Sequence, residues 1–249
     1  MRLILRCAAM AAGLVFCVPL HYVWKLAGAR SIWPQVYLAY AGRCAGLRVT
    51  IEGVPLRRDV LFVSNHVTWL DIFALGGATG ALFISRDDVE GWPLLGWIAS
   101  LNDTIYVARQ ARREVHGQAD RLRRALARGK AVALFPEGTT EGGHLVLPFR
   151  PSLFASLFPP LPSVRVQPVA IDYGPIAEEI AWVGAEAAGA NASRVLSRRG
   201  PIPVVLRFLA PVDPHAAGDR KILAAQTRAE VVEALGASDA PAQPLYAAR

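Results

Sequence analysis

Short apolar runs alternate with helical segments from about residue 46 onward. The runs with the length and composition of β-strands are residues 47–51, 60–63, 81–84, 104–107, 131–135, 164–171 and 204–208. Helical segments are predicted near residues 70–77, 93–101, 112–128 and 149–158. This alternation predicts one α/β domain over residues 46–236, with a parallel or mixed sheet. The Ala/Pro-rich residues 237–249 are predicted to form a flexible tail.

The first 45 residues have a different pattern. An uncharged, mostly apolar stretch runs from residue 7 to residue 20, after two arginines and before His21 and Lys25. Three interpretations fit it. The first is a cleaved signal peptide, which the Ala-Gly-Ala at residues 27–29 would suit. The second is a transmembrane helix, which needs about 20 apolar residues. The third is an uncleaved helix within one leaflet, with Trp24 and Trp33 at the interface.

The composition favours lipid as the binding partner. Hydrophobic residues make up 53% of the chain, mean hydropathy is +0.30, and the formal net charge is +7. A basic surface suits nucleic acid, anionic lipid or an acidic carrier, but the chain has no nucleic-acid-binding motif. The arginine-rich helix at 112–128 is either a solvated surface or a platform for such anions. The cysteines and histidines lack metal-ligand spacing, so no metal site is predicted.

A histidine and a carboxylate follow the predicted strand at 60–63, in Asn65-His66-Val67-Thr68-Trp69-Leu70-Asp71. Histidine can take a proton near neutral pH, and a carboxylate can orient its ring. Five residues correspond to about 500° on an α-helix, so the two side chains would point about 140° apart on a regular helix. They converge only if His66 lies in the turn before a helix and Asp71 in its first turn.

A second motif, Phe135-Pro136-Glu137-Gly138-Thr139-Thr140, follows the predicted strand at 131–135. Two more blocks flank it in order, namely residues 104–109, which end in Arg109, and the proline-containing apolar run 166–171. Together these four blocks resemble the glycerolipid acyltransferase family, best known for its 1-acylglycerol-3-phosphate acyltransferases. The resemblance covers roughly residues 60–172. It implies an α/β acyltransferase domain preceded by membrane-associated helices.

The resemblance implies direct transfer of an acyl group from acyl-CoA or acyl carrier protein, with no other cofactor. His66 would act as general base, oriented by Asp71, and amides at the start of the following helix would stabilise the oxyanion. A covalent route through Ser64 or Thr68 is the alternative, but neither lies in a nucleophile elbow. The predicted substrate-binding residues are Arg109, Glu137, Gly138, Thr139 and Arg86.

The acceptor is predicted to be a lysophospholipid, with 1-acylglycerol-3-phosphate preferred. Two departures from the family weaken that preference: Thr140 stands where the family usually has an arginine, and Asp103 where it often has a glycine. The alternatives are acylation of the zwitterionic lyso-ornithine lipid or another lysolipid, and a non-catalytic lipid-binding protein. Since the implied acyl donors are cytoplasmic, we favour an uncleaved anchor over residues 1–45, at the cytoplasmic face of the inner (plasma) membrane.

Overall fold

The computed structural model of the protein describes residues 1–86, 105–107, 112–236 and 238–239, with the backbone alone for 85–86, 105–107, 112–119 and 238–239. The strands are β1 (Leu47–Glu52), β2 (Val60–Ser64), β3 (Leu82–Arg86), β4 (Ile105–Val107), β5 (Ala131–Leu134), β6 (Leu145–Val146), β7 (Arg165–Asp172), β8 (Ile202–Phe208) and β9 (Ser238–Asp239). The α-helices are α1 (Arg2–Leu26), α2 (Trp33–Ala45), α3 (Leu70–Thr79), α4 (Arg112–Ala127), α5 (Ala177–Ile180), α6 (Ala188–Ser197), α7 (Pro214–Ala217) and α8 (Arg220–Leu235).

Seven of these strands form one mixed sheet in the order β1-β8-β7-β2-β5-β3-β4. All neighbours are parallel except β7 and β8. The predicted α/β mixed-sheet fold is therefore confirmed. The strands before the two sequence motifs, β2 and β5, are direct parallel neighbours, with Val63 opposite Leu134. Because parallel strands end at the same edge of a sheet, both motifs emerge side by side there.

Both faces of the sheet are covered. Along β2, Val60 and Phe62 join one apolar cluster with α3, α5 and α6, whereas Leu61 and Val63 join another with α4 and α8. Strands buried on both faces explain the near-continuous apolar runs of the sequence. Arg123 of α4 has a structural role, because its guanidinium donates to the backbone oxygens of Ser156 and Pro159.

The helix α1 packs on α2, and α2 packs on α3, the helix that carries Asp71. By length and composition α1 could cross a membrane, and most of its surface is open to the surroundings. It is also joined to the domain. Arg6 donates to the backbone oxygens of Val195 and Leu196, and the Tyr40 hydroxyl donates to Ala9 O at 3.1 Å. The long apolar helix fits membrane association.

Several predicted elements differ in the structure. The helix predicted near 149–158 is a 3₁₀ helix, Pro151–Leu157, and after Phe158 two prolines follow. Prolines there lack the N–H that would continue a helix. The sequence pattern missed α6 and α8. The buried face of α8 includes Ala224 and Thr227, so its apolar stripe contrasts weakly with its surroundings. The helix predicted near 93–101 lies outside the described residues.

Candidate active site

The turn between β2 and α3 brings His66 and Asp71 into contact, as their spacing requires. The Nδ1 atom of His66 lies 2.7 Å from Oδ2 of Asp71, and Asp71 lies in the first turn of α3. The same carboxylate oxygen accepts from the backbone amides of Val67 at 2.8 Å and Thr68 at 3.0 Å. Asp71 is fully buried, while the His66 side chain is 18% exposed. The carboxylate thus fixes the proton on Nδ1 and leaves Nε2 as the free basic atom.

Tyr173 holds the other oxygen of Asp71. Its hydroxyl donates to Oδ1 at 2.7 Å, and both side chains are buried. Burial raises the pKa of Tyr173 well above its usual value, and the nearby Asp71 charge adds to the rise. The phenol therefore stays protonated and remains a donor. Asp71 thus has four hydrogen-bond partners on its two oxygens, so neither oxygen of this buried side chain is left unpaired.

An aromatic ring of the second motif restricts the orientation of the His66 side chain. The Phe135 ring stacks on the His66 imidazole, with centroids 4.0 Å apart and an interplanar angle of 9°. Phe135 directly follows β5, and its ring also stacks with that of Phe83 of β3, with centroids 6.0 Å apart. Stacking on one face and the Asp71 hydrogen bond in the plane leave the ring little freedom to rotate.

Glu137 joins the two motifs. Its Oε1 accepts from the His66 backbone amide at 2.7 Å, and its Oε2 accepts from the Leu147 amide at 2.8 Å. The residue is 2% exposed. Burial raises the pKa of Glu137 to about 8, against the lowering effect of its two amide hydrogen bonds. In the described structure Glu137 therefore holds the turn that carries His66, and its predicted contact with substrate stays a prediction.

The turn after Glu137 contains the other predicted binding residues. Gly138 has φ +73°, a left-handed conformation that favours glycine, and Thr139 is exposed. The hydroxyl of Thr140, at the position where an arginine was expected, donates to the backbone oxygen of Trp182. The Trp182 amide in turn donates to Val67 O at 3.0 Å, so the second motif is tied to the turn beside His66.

The two hydroxyls considered for a covalent route are inaccessible. Ser64 and Thr68 are both fully buried, and Ser64 Oγ lies 3.4 Å from Oδ1 of Asn65. This burial argues against an acyl-enzyme. The Val67 and Thr68 amides, two of those at the start of α3, already bind Asp71, so they are not free for an oxyanion.

Two predicted binding residues have no described side chain. Arg86 ends β3, at the same edge of the sheet as both motifs, and only its backbone is described. Arg109 lies outside the described residues, as does Asp103. Within the described part of the chain, no group of three or more His, Cys, Asp or Glu side chains is placed to hold a metal ion.

Sequence reasoning missed several residues that build the site. Tyr173 and Trp182 lie more than a hundred residues after His66, and only the β2–β7 pairing brings this part of the chain close. Asn65 was read as part of a motif, yet its amide bridges to Ile171 through Nδ2 to O at 2.9 Å and Oδ1 to N at 2.8 Å. That bridge continues the β2–β7 pairing beyond the last strand residue and positions the His66 turn.

Known proteins resemble this chain in sequence. The sequence model of the Acyltransferase family matches residues 47–172. A lyso-ornithine lipid O-acyltransferase of Rhodobacter capsulatus is 34% identical over 252 residues, covering 94% of this chain and 90% of that protein. A 1-acyl-sn-glycerol-3-phosphate acyltransferase of Neisseria gonorrhoeae is 35% identical over 118 residues, covering 47% of this chain and 46% of that protein.

The fold of this chain is also found in a solved crystal structure. The crystal structure of the 1-acyl-sn-glycerophosphate (LPA) acyltransferase PlsC from Thermotoga maritima has a TM-score of 0.62 and 22% sequence identity to this chain. The superposition covers 82% of this chain and 77% of that one, and it shows a shared fold. With a family match over half of its length and a relative that spans most of it, this chain belongs to the glycerolipid acyltransferase family and is an acyltransferase.

Proposed function

We propose that this protein is a membrane-associated O-acyltransferase that transfers a fatty acyl group from a thioester to the hydroxyl of a lysolipid, with lyso-ornithine lipid as the favoured acceptor. The observation that carries the chemistry is the His66–Asp71 pair. Asp71 holds one ring nitrogen of His66 at 2.7 Å. The other ring nitrogen makes no hydrogen bond to a described residue, and the His66 side chain is partly exposed. Such a nitrogen suits a general base.

Each group then has one task in the reaction. The acceptor oxygen attacks the thioester carbonyl carbon while its proton moves to Nε2 of His66. Asp71 stabilises the imidazolium that forms, because its buried carboxylate is already held by three other donors. When the tetrahedral intermediate collapses, the carbon–sulfur bond breaks and the thiolate takes the proton from His66. No enzyme nucleophile is needed, in agreement with the burial of Ser64 and Thr68.

Two observations favour a zwitterionic acceptor over a phosphate monoester. Thr140 takes the place of the expected arginine, and its hydroxyl is bound to the backbone of Trp182, so it offers no positive charge to a phosphate. The relative that matches nearly the whole chain is named for lyso-ornithine lipid, whereas the match to the Neisseria enzyme covers less than half of it. The initial preference for 1-acylglycerol-3-phosphate thus becomes the second candidate.

The location follows from the helix α1. Its exposed large apolar side chains include Leu5, Phe16 and Trp24, and α2 connects this surface to the helix that carries Asp71. A membrane-bound lysolipid would reach His66 without leaving the bilayer surface. We place the site at the cytoplasmic face, where acyl-CoA and acyl carrier protein are available as donors.

Purified protein offered lyso-ornithine lipid and 1-acylglycerol-3-phosphate in parallel, with acyl-CoA or acyl carrier protein as donor, tests the proposal. Thioester consumption and the acylated product are measured for the wild type, for His66→Ala and for His215→Ala, a surface histidine as matched control. We expect His66-dependent acylation of lyso-ornithine lipid and full activity of His215→Ala. Acylation of the phosphate acceptor alone would refute the acceptor, and activity that survives His66→Ala would refute the mechanism.

A further inference from the structure

A guanidinium group lies against the glycine of the second motif. A Cβ atom at Gly138 would be 2.8 Å from Cζ of Arg150, 2.9 Å from its Nη1 and 3.0 Å from its Nε. The glycine is therefore needed at this position not only for its left-handed φ but also for the approach of Arg150. The Arg150 amide donates to Pro136 O at 3.0 Å, which holds the arginine beside the motif.

This guanidinium has no described partner. Its Nε is buried without a hydrogen-bond acceptor among the described residues, and neither of its terminal nitrogens donates to one. An arginine normally satisfies its donors with carboxylate, phosphate or backbone oxygens. Arg150 is partly exposed, and its guanidinium lies against Gly138, the residue that follows Glu137 in the motif that holds the His66 turn.

A carboxylate lies three residues after Gly138, where the chain contacts the His66 turn. The Glu141 amide donates to His66 O at 2.9 Å, and its Oε1 accepts from the Gly142 amide at 3.0 Å. Its second carboxylate oxygen has no hydrogen-bond partner among the described residues, and the residue is partly exposed. The Glu141 charge contributes to the raised pKa of Glu137, which shows that it lies close to the site.

We propose that Arg150 and Glu141 form the headgroup-binding pair of this enzyme, with Arg150 binding the carboxylate and Glu141 the ammonium group of a zwitterionic acceptor. The inference rests on the proposed function and specifies how its acceptor is selected. The two groups flank a turn of three peptide units, which spans at most about 11 Å. An extended zwitterionic headgroup beside His66 can reach both.

The pair also accounts for discrimination against a phosphate monoester. A phosphate would gain the Arg150 contact but would bring its negative charges close to the carboxylate of Glu141. An expected arginine is replaced by Thr140, and the next residue is Glu141, which has one carboxylate oxygen without a partner among the described residues, so the local charge suits a headgroup with both signs. Specificity of this kind combines an attractive contact with a repulsive one.

The test compares acceptors that lack one headgroup charge at a time. The acceptors are lyso-ornithine lipid, its carboxyl methyl ester and the derivative with an acetylated amino group. The variants are Arg150→Gln, Arg150→Lys and Glu141→Gln, with Arg58→Gln as control, since Arg58 is exposed and precedes β2 at the opposite edge of the sheet. KM and kcat are measured for each combination of variant and acceptor, and the melting temperature is measured for each variant.

With the intact lipid, we expect Arg150→Gln to raise KM by about tenfold or more with little change in kcat, because a charge-assisted hydrogen bond is lost. With the methyl ester it should have no effect on KM. Arg150→Lys should recover part of the loss. Glu141→Gln should raise KM for the intact lipid and leave KM for the acetylated lipid unchanged. Arg58→Gln should match the wild type throughout.

Unchanged KM values for the intact lipid would overturn the pair while the proposed function stands. Equal losses with all three acceptors, together with a lower melting temperature, would make Arg150 a structural brace and would also overturn it. If Arg150→Gln does not fold, the Glu141→Gln comparison decides by itself. A wild type that acylates only 1-acylglycerol-3-phosphate would refute both the proposed acceptor and the pair.

Discussion

Replacement of Tyr173 by phenylalanine removes one hydroxyl from the site and little else. The ring stays in its buried place, so no cavity opens. The lost contact is the hydrogen bond of 2.7 Å to Oδ1 of Asp71. The other carboxylate oxygen keeps its three donors, which include His66. Oδ1 loses the one donor that it has within the described residues, and Asp71 is too deeply buried for bulk water to take that place.

The cost follows from the charge and the burial. A hydrogen bond to a charged group contributes about 1.5–3 kcal/mol, and a buried acceptor left unpaired costs its desolvation as well. We therefore expect Tyr173→Phe to lower the free energy of unfolding by about 2–3 kcal/mol. We also expect a lower kcat with little change in KM, because Tyr173 acts through Asp71 and does not touch the acceptor. Denaturant unfolding in detergent and steady-state kinetics with thioester consumption measure both.

Tyr37→Phe provides the matched control. Tyr37 is a buried tyrosine of α2 whose hydroxyl donates no hydrogen bond to a described residue. Its loss should change the free energy of unfolding by less than about 0.5 kcal/mol and leave kcat unchanged. If Tyr173→Phe is no more destabilising than Tyr37→Phe and retains full kcat, the Tyr173 hydrogen bond does not support Asp71 and the reasoning fails.

Three further predictions concern the second motif. Since the pKa of Glu137 is raised from 4.5 to about 8 by folding, its contribution to stability is complete below the lower value and is lost as pH rises through the upper one. Unfolding midpoints of the wild type should therefore fall over this range relative to those of Glu137→Gln, and parallel profiles would contradict the prediction. Gly138→Ala should cost about 1–3 kcal/mol through its left-handed φ and the contact with Arg150, whereas Gly142→Ala, which has open space, should be neutral by thermal unfolding. Phe135→Leu should lower kcat several-fold with KM unchanged, because the ring that stacks on His66 is lost.

Much of the fold and the central pair of the site could be predicted from the sequence. Strands buried on both faces give continuous apolar runs, and these were placed to within a few residues. The spacing of His66 and Asp71 required a turn followed by a helix, and the structure has that arrangement. The second motif also follows an apolar run, and the parallel pairing of β2 with β5 brings it to the same edge of the sheet.

The rest depends on partners far away in sequence. Tyr173 contacts Asp71 across 102 positions, and Asn65 contacts Ile171 across 106. Neither pair has a local pattern, since a tyrosine or asparagine near a strand end has many ordinary explanations. The strand order decides both, because β7 lies directly beside β2. The same limit applies to Arg150, because no local pattern indicates that its guanidinium lies against Gly138.

The structure also explains why the second motif has a glutamate rather than a glutamine. The backbone N–H groups of His66 and Leu147 donate to different oxygens of this side chain, and both oxygens of a carboxyl group can accept, in the protonated as well as the ionised form. A glutamine would place its own N–H₂ against one of them and leave a buried donor unpaired. Glu137 thus holds the turn that carries His66 through both of its oxygens, and a contact with an acceptor would come in addition to these two hydrogen bonds. Among the described residues beside this motif, Arg150 and Glu141 carry charge and have polar atoms without a hydrogen-bond partner, which is why our proposal assigns headgroup recognition to them.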